Sequence, residues 1–369
     1  MCTVGQQFNK PDPYECVGCD YVIFDPILPT AAGLIGSEDQ HAWNVFKSMT
    51  WIQQPKPEFG IAFPGRYTTE LPGHLSGNAM NELKQLFAKG YRSFGVLNCH
   101  GTVSFLSGTT GAKLGELFNK IFNAMTAAQR DAGLKTFFVG LQLSAGSSSQ
   151  RAALIQYAQA ISHLNLLILQ THITPLPPLT ASDCFIYPSF TWSQQLIKDN
   201  YYSSLERACT MLDQAESTTL AFAFSYSMAV NIYGISSSPS SSNTRYKDPC
   251  LSGAVTSMDD FCLLLDLELL QLPQECQLCA HRGYVKGKRL VYSYTAFENI
   301  LYSFERVRWR VPGRLGVLLA DIQFDGGEHC SRTPVWKRGV FMRYTLDRMR
   351  NTTAMRPEYC GIVTPQFHQ

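Results

Sequence analysis

Little in this chain is charged. Asp, Glu, Lys and Arg make up 16% of its 369 residues, against about 25% in ordinary globular chains. With a formal net charge of +2 and no basic block, no field is expected to steer nucleic acid or an acidic membrane toward it. Also lacking is any apolar run of the ~18 residues that a membrane span needs, so no membrane insertion is expected. Met1-Cys2-Thr3 is polar and no apolar h-region follows. The expectation is therefore a mature secreted form carrying an added initiator Met; the rival is a cytosolic protein rich in free thiols. No Gly-rich dinucleotide fingerprint follows the first apolar strand pattern, which argues against an open nucleotide-binding sheet and against a bound cofactor of that kind.

What is present is a core and cysteine. Hydrophobic residues reach 45% and cysteines number 12. An even, scattered set of that size suits disulfides in an oxidising, extracellular compartment. The close pairs Cys16/Cys19 and Cys276/Cys279 raise a zinc reading, but they lie far further apart than paired zinc knuckles do, so no metal is expected. Asn351-Thr352-Thr353 is a glycosylation sequon, compatible with secretion.

Short apolar strands alternate with amphipathic helices along the chain. Strands are expected at 21–24, 59–63, 93–98, 136–143, 164–169, 219–226 and 315–320. The clearest helix runs from Lys113 to about Ala127, where Leu114, Leu117, Phe118, Ile121, Phe122 and Met125 form one unbroken stripe. Leu164–Leu169 is almost pure Leu and Ile, the mark of a parallel strand covered on both faces. The rhythm breaks at the Ser-rich stretch 235–243 and resumes near Leu290, which places an inserted α+β subdomain at 235–290. About eight strands in β-then-α order predict a closed (β/α)8 TIM barrel with that insertion between strands 7 and 8. A final helix is expected at 334–349, with a tail at 349–369.

Particular residues at the C-terminal end of this pattern resemble glycoside hydrolase family 18, the chitinases and chitinase-like lectins. Met258-Asp259-Asp260-Phe261-Cys262 is similar to the Tyr-Tyr-Glu-Ile-Cys segment of that family's inserted subdomain. Val291–Glu298 resembles the strand and helix start leading to the last barrel strand. Gly316–Ala320 with Phe324-Asp325-Gly326 and Cys330 resembles the last strand and its exit, and Leu220–Ser227 the seventh strand. The likeness covers about residues 15–348, and it implies a disulfide between Cys262 and Cys330.

The resemblance also implies a loss. On its fourth strand the family carries Asp-x-x-Asp-x-Asp-x-Glu, whose Glu protonates the glycosidic oxygen and whose last Asp orients the substrate's acetamido nucleophile, a substrate-assisted scheme. Aligned on Gly90-Tyr91-Arg92-Ser93, the acidic positions here become Arg92, Gly95, Leu97 and Cys99. The stretch Arg92–Val103 contains no Asp or Glu, so no shift of one residue restores an acid. The family's Trp at the end of the last strand is Ala320, and its sixth-strand Met-x-Tyr-Asp element is Leu169-Gln170-Thr171-His172. The resemblance without its acids implies a pseudo-enzyme.

Active sites of such barrels lie at the C-terminal ends of the strands. The residues expected there are Phe24, Phe63, Cys99, His100, His172, Tyr226 and Asp321. A Cys99–His172 dyad is weighed against an inert buried thiol. Asp25, Asp321 and Asp325 are the acids available for relocated chemistry. His163 is read as a helix cap, Asp259-Asp260 as a solvated face rather than a cation site, and the Arg306, Arg308, Arg310 and Arg314 cluster as a solvated helix end. The expected function is non-catalytic binding of a host or extracellular protein or of a glycan, as in an immune-modulating effector secreted by a parasite or an arthropod such as a tick. The alternatives are a glycoside hydrolase with relocated acids acting on N-acetylglucosamine-containing glycans, and a structural or storage barrel.

Overall fold

The computed structural model describes residues 1–8, 19–36, 40–49, 56–101, 103–128, 135–143, 148–174, 184–197, 204–212, 219–237, 244–263, 269–271, 280–285, 287–308 and 315–325. Eight parallel strands close a barrel: β1 Cys2–Val4, β2 Tyr21–Phe24, β3 Glu58–Pro64, β4 Ser93–Gly101, β5 Thr136–Leu143, β6 Leu166–Leu169, β7 Ala221–Ser227 and β8 Leu315–Ala320, each paired with its neighbours and β1 with β8. The expected TIM barrel is therefore observed. The strand that periodicity did not delimit is β1. Three residues are too short to show a period, and this strand begins at Cys2, ahead of the expected boundary at residue 15. A disulfide from Cys2 to Cys19 ties it to the start of β2. With β1 counted, Ser93–Gly101 is the fourth strand, as the resemblance required.

Alternation along the strands sorts the core into two shells. Ile23, Ala62, Leu97, Phe138, Ile168, Ala223 and Leu318, one from each of β2 to β8, meet inside the barrel. Their neighbours in sequence, among them Val22, Phe24, Ile61, Phe63, Val96, Val139, Leu167, Phe224, Tyr226 and Leu319, face outward into the layer beneath the helices. The helix Gly108–Ala128 buries the predicted Leu114, Leu117, Phe118, Ile121 and Met125 against that layer. Burying each such side chain contributes roughly 1.5–3 kcal/mol before chain entropy is counted. Helix Ser148–Ala160 ends ahead of His163, whose left-handed backbone (φ 66°) turns the chain. Its ring stacks on Phe122 at 4.1 Å and bonds Asn119 at 3.0 Å.

The insertion is a five-stranded antiparallel sheet, ordered Ser252–Thr256, Val230–Gly234, Leu290–Tyr294, His281–Val285 and Leu269–Gln271, with a short helix Met258–Leu263. It starts three residues after β7 and ends at Tyr294, so it is wider than 235–290. Its strand Val230–Gly234 lies ahead of the expected boundary, and Leu290–Tyr294 runs past it. A Cys184–Cys250 disulfide anchors the insertion's edge to the loop after β6. Among the described residues no helix is long and apolar enough to cross a membrane. The expected helix at 334–349, the sequon Asn351, Cys16, Cys276, Cys279, Cys330, Arg310 and Arg314 lie outside the described residues. Cys262 is disulfide-bonded.

Candidate functional site

The site is built from whatever each strand places one step above the inner apolar layer. Two residues beyond Ile23 is Asp25; beyond Ile168, Gln170; beyond Ala223, Ser225; beyond Leu318, Ala320. The same parity reaches Gln142 on β5 and Thr3 on β1. The C-terminal mouth is thus floored by carboxyl, amide and hydroxyl groups over a dry interior.

On β4 the regular alternation fails at one point. Val96 pairs with Val139, but Cys99 pairs with Leu141, so the register slips between them. Asn98 sits in the left-handed region at φ 58°. This is a bulge, which re-aims the side chains that follow it. Gly95 and Leu97 face inward as expected. Cys99 does not: the bulge turns it into the outer layer, where it packs against Gly65 and Thr68 and burial pushes its thiol pKa up. That removes the Cys99–His172 dyad, because the two side chains lie on opposite faces of the barrel wall. Cys99 and Cys209 are both buried thiols, which leaves an even number of cysteines for pairing.

Neither inward position that the resemblance equates with an acid holds empty space. A Cβ on Gly95 would collide with the ring and backbone of Phe138, and a Cβ on Gly140 with Leu97. Glycine on one strand and a bulky side chain on the next therefore interlock through the space that a carboxylate would need.

Above Leu97 a hydrogen-bonded chain crosses the mouth. The Asn98 backbone N–H donates to Gln170 Oε1 at 2.8 Å, Gln170 Nε2 donates to Asn98 Oδ1 at 3.0 Å, and Asn98 Nδ2 donates to Asp25 Oδ2 at 3.1 Å. Asp25 is itself perturbed: burial, with the nearby Asp321 charge adding to it, raises its pKa to about 7. Asp321 follows β8 in a left-handed conformation (φ 58°), its N–H held by Thr3 Oγ1 at 3.0 Å. Burial raises its pKa to about 6 against a hydrogen bond from Gln323. Asp325, one turn on, is buried.

Across the mouth, His172 Nδ1 lies 2.6 Å from Ser225 Oγ. That oxygen already accepts the N–H of Thr171 at 2.8 Å and of His172 at 3.3 Å. Its hydroxyl proton is what remains for Nδ1, so His172 carries its own proton on Nε2. Burial, then the neighbouring His100, lowers the His172 pKa to about 4, and burial lowers that of His100. Both rings are neutral at physiological pH. Ser225 is fully buried with its bonds committed, so it positions His172 and is no nucleophile.

Three expected ligand contacts are corrected. Phe24 packs on Trp43 and Phe46 at 5.1 and 5.3 Å, Phe63 lies in the same outer layer, and Tyr226 bonds Ser303 at 2.8 Å with its ring on Phe190. Each was placed by nearness to a strand end, and each has outward parity. Of the expected residues, His100, His172 and Asp321 do gather at the mouth. Asn98, Gln170, Ser225 and Gln323 were missed; parity counted from Ile168 and Ala223 would have found Gln170 and Ser225. The described residues of this floor include no Phe, Tyr or Trp, and Ala320 faces inward at the place where the resemblance sets a Trp. Among the described residues no cluster of His, Cys, Asp and Glu could hold a metal ion.

No protein-family model matches the sequence, and no curated protein does. Solved structures match the fold. Human YKL-39, described as a pseudo-chitinase with retained chitooligosaccharide binding, aligns at TM-score 0.64 with 11% identity over 93% of this chain and 98% of its own. An immunomodulatory active chitinase from Trichuris suis aligns at 0.63 and 10%, over 94% and 99%. A chitinase-like agglutinin from Robinia pseudoacacia aligns at 0.58 and 10%, over 93% and 97%. Active and non-catalytic proteins thus stand together among its structural neighbours, and the chain has the fold of the glycoside hydrolase family 18 chitinases and chitinase-like proteins.

Proposed function

We propose that this is a non-catalytic chitinase-like protein of the extracellular space that acts by binding, with a glycan as the ligand its barrel mouth suits. The observation that carries this is β4. It presents Gly95 and Leu97 at the inward positions that the resemblance equates with acids, and Phe138 fills the space between them. General acid catalysis commonly contributes ~10²–10⁴-fold, and an inward strand without a carboxyl forgoes it. What remains is a floor of amides, hydroxyls, a neutral imidazole and, off β4, the two carboxyls Asp25 and Asp321, groups that hydrogen-bond sugars. The YKL-39 pseudo-chitinase supports the pairing of this fold with sugar binding. Disulfides support an extracellular setting. A protein partner, as expected of an immune-modulating effector, would use the loops and the inserted sheet.

A glycan array with the full chain, followed by incubation with a fluorogenic chito-oligosaccharide, tests this. Binding without turnover is expected. The second reading, a hydrolase with relocated acids, draws on Asp25 and Asp321, whose pKa values burial raises to about 7 and about 6. Turnover that Asp321→Asn abolishes would establish it and overturn the first.

A further inference from the structure

The closure between β1 and β8 is the shortest seam of the barrel. β1 pairs with β2 along its whole length, Cys2 with Val22, Thr3 with Ile23 and Val4 with Phe24, but with β8 only through Cys2 and Leu319. Where β1 ends, the residues just past its two neighbours hold it. The Asp25 N–H, one residue beyond β2, donates to the Val4 carbonyl at 2.9 Å, and the Asp321 N–H, one residue beyond β8, donates to Thr3 Oγ1 at 3.0 Å. Gly5 follows between them: a Cβ there would lie 3.3 Å from the Asp25 carbonyl oxygen and 3.4 Å from Asp321 Oδ1. An acid is thus tied to each flank of a three-residue strand.

The groups that face these two carboxyls bring no positive charge. From β4, Asn98 donates to Asp25 Oδ2 at 3.1 Å, and burial keeps the neighbouring Cys99 thiol protonated. From the turn after β8, Gln323 bonds Asp321. Neither carboxyl is ion-paired with a Lys, Arg or His among the described residues. Burial, then the Asp321 charge, accordingly raises Asp25 from 3.8 to about 7, and burial raises Asp321 to about 6.

We propose that the β1–β8 seam is a pH-dependent closure: the two acids retain a proton while β1 is docked, and losing it sets like charges on both flanks of the strand and lets it part from β8. The Cys2–Cys19 disulfide keeps the parted strand beside β2, so the opening is local. This closure operates whatever the mouth binds. Opening returns both carboxyls to water and toward their ordinary value of 3.8, so the closed form is the one that holds the proton. Its advantage is whole below about pH 4 and is lost as pH rises through about 6 and about 7.

Amide hydrogen exchange of the full chain across pH 5–9, corrected for intrinsic chemistry, tests this. Thr3 and Val4 should exchange through an opening of their own, with less protection than the β5 residues Phe137–Leu141. That protection should fall about ten-fold between pH 6 and pH 8 and flatten above. Asp25→Asn should remove most of the slope above pH 6, and Asp25→Asn with Asp321→Asn all of it, both variants melting no lower than the wild type at pH 8. Protection at β1 equal to that at β5, a wild-type profile flat with pH, or a slope that survives in the double variant overturns the inference.

Discussion

The two sides of the barrel mouth differ in kind. On the β4 side the inward residues are Gly95 and Leu97, locked against Phe138 and Gly140, and the polar groups above them are the amides of Asn98 and Gln170. On the β2 and β8 side stand Asp25 and Asp321, two carboxyls with no countercharge among the described residues and with pKa values near neutrality. One side is packed without carboxyls, and the other keeps two carboxyls whose burial raises their pKa values. The lesson is that this chain has acids at its mouth, but on strands where they face each other and the amide floor rather than on β4.

The largest effect should come from forcing the first side to resemble the second. Gly95→Asp places a side chain into the Phe138 ring and a charge into the dry interior. Overpacking and an unpaired buried charge together should cost about 4 kcal/mol or more, read as a collapse of the melting temperature or loss of soluble protein. A variant that melts with the wild type would break the comparison. Leu97→Ala opens the interlock with Gly140, and chemical denaturation should show a loss of about 3 kcal/mol.

The other side should respond in the opposite direction. Because the folded pKa of Asp25 lies above its ordinary value of 3.8, the native state holds a proton that the unfolded chain has released, and stability falls as pH rises from about 4 to about 7. Asp25→Asn removes that penalty. It should stabilise the protein by about 1–3 kcal/mol at pH 8 and by nothing below pH 4, measured by thermal melts across that range. The smallest effect should come from Tyr226→Phe, which deletes one buried hydrogen bond to Ser303. A loss of about 1 kcal/mol is expected, with glycan binding unchanged because the ring faces away from the mouth.

The inner layer was within reach of sequence reasoning, and so was part of the site. Leu97 as an inward residue follows from the strand pattern, and the absence of acid on Ser93–Gly101 is plain in the residues themselves. Asp321 and His172 were reached from their places at strand ends. Phe24, Phe63 and Tyr226 were misplaced because nearness to a strand end does not say which face a side chain takes, and one step of parity separates a ligand contact from a helix contact. Cys99 was misplaced for another reason. A bulge breaks parity, and nothing in Leu97-Asn98-Cys99 announces one.

By itself, then, the amino-acid sequence determined the period of its elements, hence a parallel barrel with an insertion, and the absence of carboxyls from the fourth strand. These are properties of single segments, set by side-chain type and spacing. Tertiary structure alone decided that Cys2–Val4 closes the barrel, that Asn98 turns Cys99 out of it, and that Asp321 comes close enough to Asp25 to raise its pKa. Those outcomes depend on pairings between segments as much as 318 residues apart, such as Thr3 with Asp321. Local preference cannot specify them, because the energy that fixes them appears only once the strands are in register.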